Sequence, residues 1–267
     1  MKALLKLEFR RFWNNKLVFV SLGIGCLLSL LQFFMIVYPN HGAILQKVYP
    51  VSLFAVWMGG EGYSVYGALY YMAAPLLIAL PYNGSLKEDM KQGYLKNILV
   101  REQKFKYFLS KYIVCLCSAL LAILPLVLNF TLAGMICPGL IPQPNPSLFP
   151  VFSYGLWADL FYVHPYVYVL LYLLLDFFFW GLMSTLSLLA SFFTEYAATA
   201  KLIPFLLQLL LHGAHILFPT TAASPSMFLR PSQPMVVSSG ILLLEISGLI
   251  LCAVVYFVLG MKEELYA

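Results

Sequence analysis

"LVFVSLGIGCLLSLLQFFMIVY", Leu17 to Tyr38, contains no Asp, Glu, Lys, Arg or His. A helix needs roughly 17 to 25 apolar residues to cross about 30 Å of hydrocarbon, so this run is long enough to span a bilayer alone. Comparable runs occur at 65–82, 107–136, 166–193, 197–218 and 236–261. Over its 267 residues the chain is 62% hydrophobic and 10% charged, against about 25% charged in a soluble domain. The expectation is an all-α membrane protein, one transmembrane domain over 1–267 with six transmembrane helices.

Outward from that first run, residues 1–16 read as an amphipathic elbow helix on the membrane surface. Leu5, Phe9, Phe12 and Trp13 recur at helical spacing, with Lys2, Lys6 and Arg10 on the other face. The apolar run is longer than the core of a secretory signal, which predicts an uncleaved anchor. Residues 50–62 are too short and too rich in glycine to cross alone; they read as an interfacial or re-entrant lead-in to the second span.

Orientation follows from Lys and Arg, which concentrate in cytoplasmic loops. With six spans and the amino terminus inside, every Lys and Arg except Lys47 and Arg230 falls inside, and the outer loop 137–165 has none. This predicts a multi-pass plasma-membrane protein with both termini cytoplasmic and a second outer loop at 219–235. The net charge of +5 is then an orientation signal, with no nucleic-acid partner implied. Cys26, Cys115, Cys117 and Cys252 lie within spans and Cys137 near a span end, unlike a disulfide framework.

Between spans two and three lies the one long water-compatible stretch, "SLKEDMKQGYLKNILVREQKFK", Ser85 to Lys106, within a cytoplasmic region at 84–106. Ser85 and Glu88 match the S-x-x-E capping box, predicting a helix start near Ser85. Leu86, Met90, Tyr94, Leu95, Ile98 and Leu99 form an apolar stripe, and Gly93 is placed to kink or divide the helix. A plain turn between spans needs only a few residues. This longer, amphipathic one is built to pack on something.

"KEDMKQGYLKNILVREQKFKYFLSK" resembles the segment between spans two and three of ABC type-2 permeases, the membrane subunits of ABC exporters. The matching positions are Glu88, Gly93, Leu95, Lys96, Leu99, Arg101 and Lys111; where the family often has proline in the basic turn, this chain has Val100. The six spans, amphipathic start and short charged tail "MKEELYA" extend the resemblance over the whole chain. It implies that 84–106 is a coupling region docking on a separate cytoplasmic ABC ATPase, present in two copies. The implied interface is Glu88, Asp89, Lys91, Gln92, Gly93, Tyr94, Leu95, Lys96, Ile98 and Leu99. The stripe would face that subunit or the inner ends of the spans. The resemblance further implies a second permease subunit, identical or homologous, in a bacterial plasma membrane. The substrates it suggests are amphipathic or antimicrobial peptides, including phenol-soluble modulins and lantibiotics, with drugs or lipids as the alternative.

The motifs that are missing fit that division of labour. The chain contains no G-x-x-x-x-G-K-[ST] cradle, and no glycine precedes a lysine, so ATP and Mg are expected on the partner and no cofactor on this chain. It also lacks a G-x-S-x-G elbow, an H-E-x-x-H pair and a C-x-x-C, leaving no catalytic residues or metal ligands to nominate.

Ionisable groups inside a span cost roughly 2.5 to 3.5 kcal/mol on insertion scales and call for a role. Asp176 and Glu245 are such groups. Asp176, Trp180, Ser184, Ser187 and Ser191 share an arc of about 80° on span four; Lys201, Pro204, Gln208, His212 and His215 share a similar arc on span five. Two readings stand. Asp176, Ser184, Ser187, Gln208, His212, His215 and Glu245 line a translocation route, or they hold the helices together by hydrogen bonds. A proton-coupled secondary transporter using Asp176 and Glu245 is a further alternative.

Overall fold

In the computed structural model, residues 1–40, 52–62, 64–142, 151, 155–218, 224–232 and 238–262 are described. Among them all regular structure is helical. Five helices are long and apolar enough to cross a membrane: Lys16–Asn40, Lys104–Ile136, Pro165–Ala190, Ala197–Leu217 and Ser239–Lys262. The chain therefore fits a membrane-embedded protein. Lys47, parts of both expected outer loops (143–150, 152–154, 219–223 and 233–237) and most of the charged tail lie outside the described residues.

Helix α1, Lys2–Trp13, lies ahead of α2, Lys16–Gln32. Asn15 separates them and caps α2, its Oδ1 accepting the Leu17 amide at 3.0 Å. A π-helical turn, Phe33–Val37, continues α2. It begins where Gln32 turns its side chain inward to donate to the Val56 carbonyl at 2.8 Å, a common setting for such a bulge.

The second expected span is shorter than its apolar run. Helix α4 covers Val65–Ala79, 15 residues, or about 22 Å at 1.5 Å per residue, short of a full crossing. The run continues apolar through Pro81 and Tyr82, but the backbone there is already turning. Ahead of α4, Ser52–Gly62 carries the short helix α3, Leu53–Val56, packed on α8, Leu120–Ile136, and tied to α2 by the Gln32–Val56 hydrogen bond. Its irregular backbone is satisfied by side chains. Asn129 Oδ1 accepts the Met58 amide at 2.7 Å, while Asn129 Nδ2 donates to Gln32 Oε1 at 2.7 Å and to the Ser29 carbonyl at 2.9 Å. Non-helical backbone at span depth survives only when buried in protein this way.

After α4 the chain turns through 80–84 into α5, Ser85–Lys91, and α6, Tyr94–Leu99. The third expected span is two stacked helices, α7, Lys104–Cys117, and α8, with Pro125 inside α8, where it removes a ladder hydrogen bond. Helix α9, Ala158–Val163, leads into α10, Pro165–Ala190. The remaining elements are α11, Ala197–Leu217; α12, Pro225–Phe228; and α13, Ser239–Lys262.

Helices α4 and α10 form the centre. Helix α4 packs on α2, α8, α10, α11 and α12, and α10 on α4, α7, α8, α11 and α13. Their aromatic side chains fill the middle: Tyr70, Tyr71, Tyr168, Tyr172 and Trp180 are all fully buried. Without a hydrophobic drive between helices in lipid, association relies on close packing and polar contacts. Gly25 of α2 shows the first, since a Cβ there would sit 2.8 Å from the Pro125 ring of α8. Ser29 shows the second, donating to the Pro125 carbonyl at 2.8 Å.

Candidate functional site

The face that α1 turns inward is Leu4, Glu8 and Phe12, spaced one helical turn apart, with Trp13 and Leu7 left exposed at 47% and 38%. A carboxylate thus sits in the middle of the buried row. Its partner is Lys111, one turn into the apolar part of α7, whose Nζ lies 3.1 Å from Glu8 Oε2.

The same ammonium lies 2.7 Å from Asp89 Oδ2 of α5 and donates to Ser85 Oγ at 3.2 Å. Arg11 completes the group with a two-pronged contact, Nη2 to Asp89 Oδ1 at 2.7 Å and Nη1 to Oδ2 at 3.0 Å. Tyr107 of α7 donates to Asp89 Oδ2 and Tyr82 donates to Glu8 Oε2, both at 2.6 Å. The side chains of Glu8, Asp89 and Lys111 are completely buried, and that of Arg11 is 33% exposed.

Two cations and two anions balance, so the cluster is neutral, with three of its four members out of water. Removing ions from water carries a penalty that only close, well-oriented pairing offsets, and paired N–H donors on a carboxylate are the strongest such geometry. Burial alone would raise the Asp89 carboxyl; the Arg11 hydrogen bonds, then the charge and hydrogen bond of Lys111, then Tyr107 hold it below its ordinary value. Arg11 answers in the same sense: burial would lower the guanidinium, yet Asp89 and Glu8 raise it.

The cluster therefore fastens three elements at one point. Arg11 also lies 5.5 Å from the Tyr94 ring centre, bringing in α6. The apolar stripe of α5 and α6 faces the same way: Leu86 and Leu95 are in the core, and Met90, Ile98 and Leu99 pack against it. Among the expected interface residues, Asp89 and Leu95 are thus turned into the chain itself. Lys91, Gln92 and Lys96 are exposed, as are Asn97, Val100 and Arg101, while Gly93 and Tyr94 are half-buried. Glu88 is half-exposed and lies 3.6 Å from Lys201 of α11.

The expected capping box does not form. Helix α5 begins at Ser85 with Gly84 as its cap and no side-chain cap. Ser85 is inside the first turn, and its hydroxyl serves the Lys111 ammonium instead. Gly93 divides the helices as expected, with φ of 69°, a left-handed conformation that glycine adopts without steric penalty.

The intramembrane candidates disperse. Ser184 donates to the Cys115 carbonyl at 2.6 Å, and Asn83 donates to the Ser184 carbonyl at 2.9 Å and to Ser187 Oγ at 3.3 Å. Those serines fasten α10 to α7 and to the turn at 83. Asp176 is fully buried in α10; Oδ2 accepts from the Tyr71 hydroxyl at 3.4 Å, and Oδ1 has no hydrogen-bond partner among the described residues. Gln208 is fully buried, with neither side-chain atom bonded among them. His212 Nδ1 lies 3.1 Å from Ser224 Oγ beside α12, and its ring centre is 6.3 Å from that of His215. Glu245 opens into a crevice between α10, α11 and α13. The two polar rows thus serve different neighbours.

Sequence reasoning did not single out Glu8 or place Lys111 as a buried ion. The signal was present: each is a lone charge in an otherwise apolar row, and such a charge needs an opposite partner. Arg230 behaves alike, only 4% exposed and donating to the Glu61 carbonyl at 2.7 Å. No family profile, curated protein or solved structure matches this chain.

Proposed function

We propose that this chain is the permease subunit of an ATP-driven ABC exporter, with α1 as its elbow, α4 as a sixth, short span and α5–α6 as the coupling element. The observation that carries this reading is the buried ion cluster. A push on α5 cannot be absorbed by local slack, because Asp89 is held by α1 and α7 together. Breaking a buried pair costs about 3 to 5 kcal/mol, so displacement of α5 is passed to α7 and α1. An element built to transmit motion needs such a fastening on one side and a free face on the other. Gln92, Lys96, Asn97 and Val100 supply the free face, with Val100 78% exposed as its apolar tip.

On this reading two cytoplasmic ATPase subunits bind ATP and Mg and dock on α5–α6 of two permease subunits, identical or homologous. Nucleotide drives the pair between forms only through its different affinity for them. The exported substrates are amphipathic peptides, and the pair sits in a plasma membrane with α5–α6 inside.

Co-expression with a candidate P-loop ATPase, sought in the adjacent genes, tests the reading. Val100→Asp with Lys96→Glu, both on the exposed face, should abolish co-purification while leaving the melting temperature of the permease unchanged. Undiminished co-purification of that variant, or transport by this chain without any nucleotide hydrolase, overturns it. Leu95→Asp is expected instead to unfold the coupling element, because Leu95 is 6% exposed.

A further inference from the structure

Between α10, α11 and α13 lies a crevice of about 210 Å³ walled by apolar side chains, among them Phe179, Met183, Leu207 and Leu211, with a single charged lining residue, Glu245. Glu245 Oε2 is buried and has no hydrogen-bond partner among the described residues. A carboxyl in such surroundings is unfavourable unless something of opposite charge or a donor meets it. The lining supplies neither Lys, Arg nor His. On α13 itself the described cation is Lys262, 17 residues away and about 25 Å along the axis.

The mouth of the crevice is as informative as its floor. Leu244, on its rim, is 70% exposed, and the neighbouring Leu243 is 65% exposed. The opening is therefore on the apolar outer surface of the bundle, where a ligand arrives through lipid. Gly248 lines the same wall, and a Cβ there would meet nothing within 4 Å, so the space in front of it is open.

We propose that this crevice is a lateral binding site for an apolar chain bearing one positive charge, with Glu245 as the counter-ion and Phe179, Leu207, Leu211 and Leu249 as walls for the hydrocarbon. Charge complementarity selects the cation, and the lipid-facing mouth selects the amphiphile. As a class of transport substrate this rests on the permease reading; as a binding site it does not.

The test is equilibrium binding of radiolabelled dodecyltrimethylammonium, with dodecanol as the uncharged comparison, to the purified chain in lipid nanodiscs without any ATPase. Wild type should bind the cation saturably. Glu245→Gln keeps the shape and removes the charge, so it should weaken the cation at least tenfold and leave dodecanol unchanged. Gly248→Leu keeps the charge and fills the space, so it should weaken both at least tenfold. Absence of saturable binding, equal cation affinity in wild type and Glu245→Gln, or unchanged binding in Gly248→Leu overturns the proposal. So does an oxidant-induced dimer that disappears in Cys252→Ala and is unaffected by the cation, because Cys252 lines the crevice and that result gives the site to a second copy of the chain. Failure here with intact ATPase co-purification removes the ligand site alone.

Discussion

Lys111 is the residue on which this end of the bundle depends, because its ammonium is shared by Glu8 and Asp89 with no exposure to water. Lys111→Met leaves two buried carboxylates facing Arg11 alone, and should destabilise the protein by about 3 to 5 kcal/mol in thermal unfolding. Adding Glu8→Gln to Lys111→Met removes one orphaned charge. The double variant should therefore recover part of that loss, a coupling of about 0.5 to 3 kcal/mol. Strict additivity would mean that Glu8 and Lys111 do not act as a pair. Asp89 gives the cluster a pH dependence of definite sign. Its folded-state carboxyl is held below the ordinary 3.8, so its stabilising contribution is complete above that value and is lost as pH falls through the folded-state one. Below about pH 4 the melting temperature of wild type should fall more steeply than that of Asp89→Asn, which has no carboxyl to protonate.

At the scale of elements, Gly93 joins two short helices that are anchored differently. Helix α5 is held through Asp89, and α6 through Leu95 and the Arg11–Tyr94 contact. Nothing lies within 4 Å of a Cβ built at Gly93, so Gly93→Ala meets no clash and loses only through its left-handed backbone, about 1 to 2 kcal/mol. Gly93→Asn should lose less than Gly93→Ala in the same melting experiment, since Asn visits that conformation more readily. Equal losses would assign the cost to something other than backbone handedness. The element level is also where the sequence was most and least informative. Leu17–Tyr38 and the runs at 166–193, 197–218 and 236–261 were legible because lipid demands long uncharged helices, and each contains a long helix. The run 65–82 extends past its helix because apolar residues continue through a turn that protein, rather than lipid, covers: Pro81 and Tyr82 are buried beyond the end of α4. The capping box misled because a local pattern cannot register that Ser85 is wanted by Lys111. The ion cluster itself was not legible, since Glu8 and Lys111 are 103 positions apart, and one sequence shows a lone charge without naming its partner.

Across the whole molecule, α7 and α8 set the distance between its two ends. Lys104–Ile136 runs 33 residues as one span, about 50 Å at 1.5 Å per residue, which exceeds the hydrocarbon thickness of about 30 Å. The segments flanking this span, before Lys104 and after Ile136, therefore emerge on opposite sides of the bilayer. The ion cluster, α1 and the exposed face of α5–α6 are on the first side, and the chain from Cys137 to Pro142 on the second. From the excess of Lys and Arg on the first side we expect that side to be the cytoplasmic one. Single cysteines at Asn97 and at Ile141, which is 64% exposed, test this in a background with the native cysteines replaced. In intact cells a membrane-impermeant maleimide should label position 141 and spare position 97, and permeabilisation should expose 97. Labelling of position 97 from outside would put the free face of α5–α6 where no cytoplasmic ATPase can reach it, leaving the buried cluster as a structural clasp and removing the permease reading.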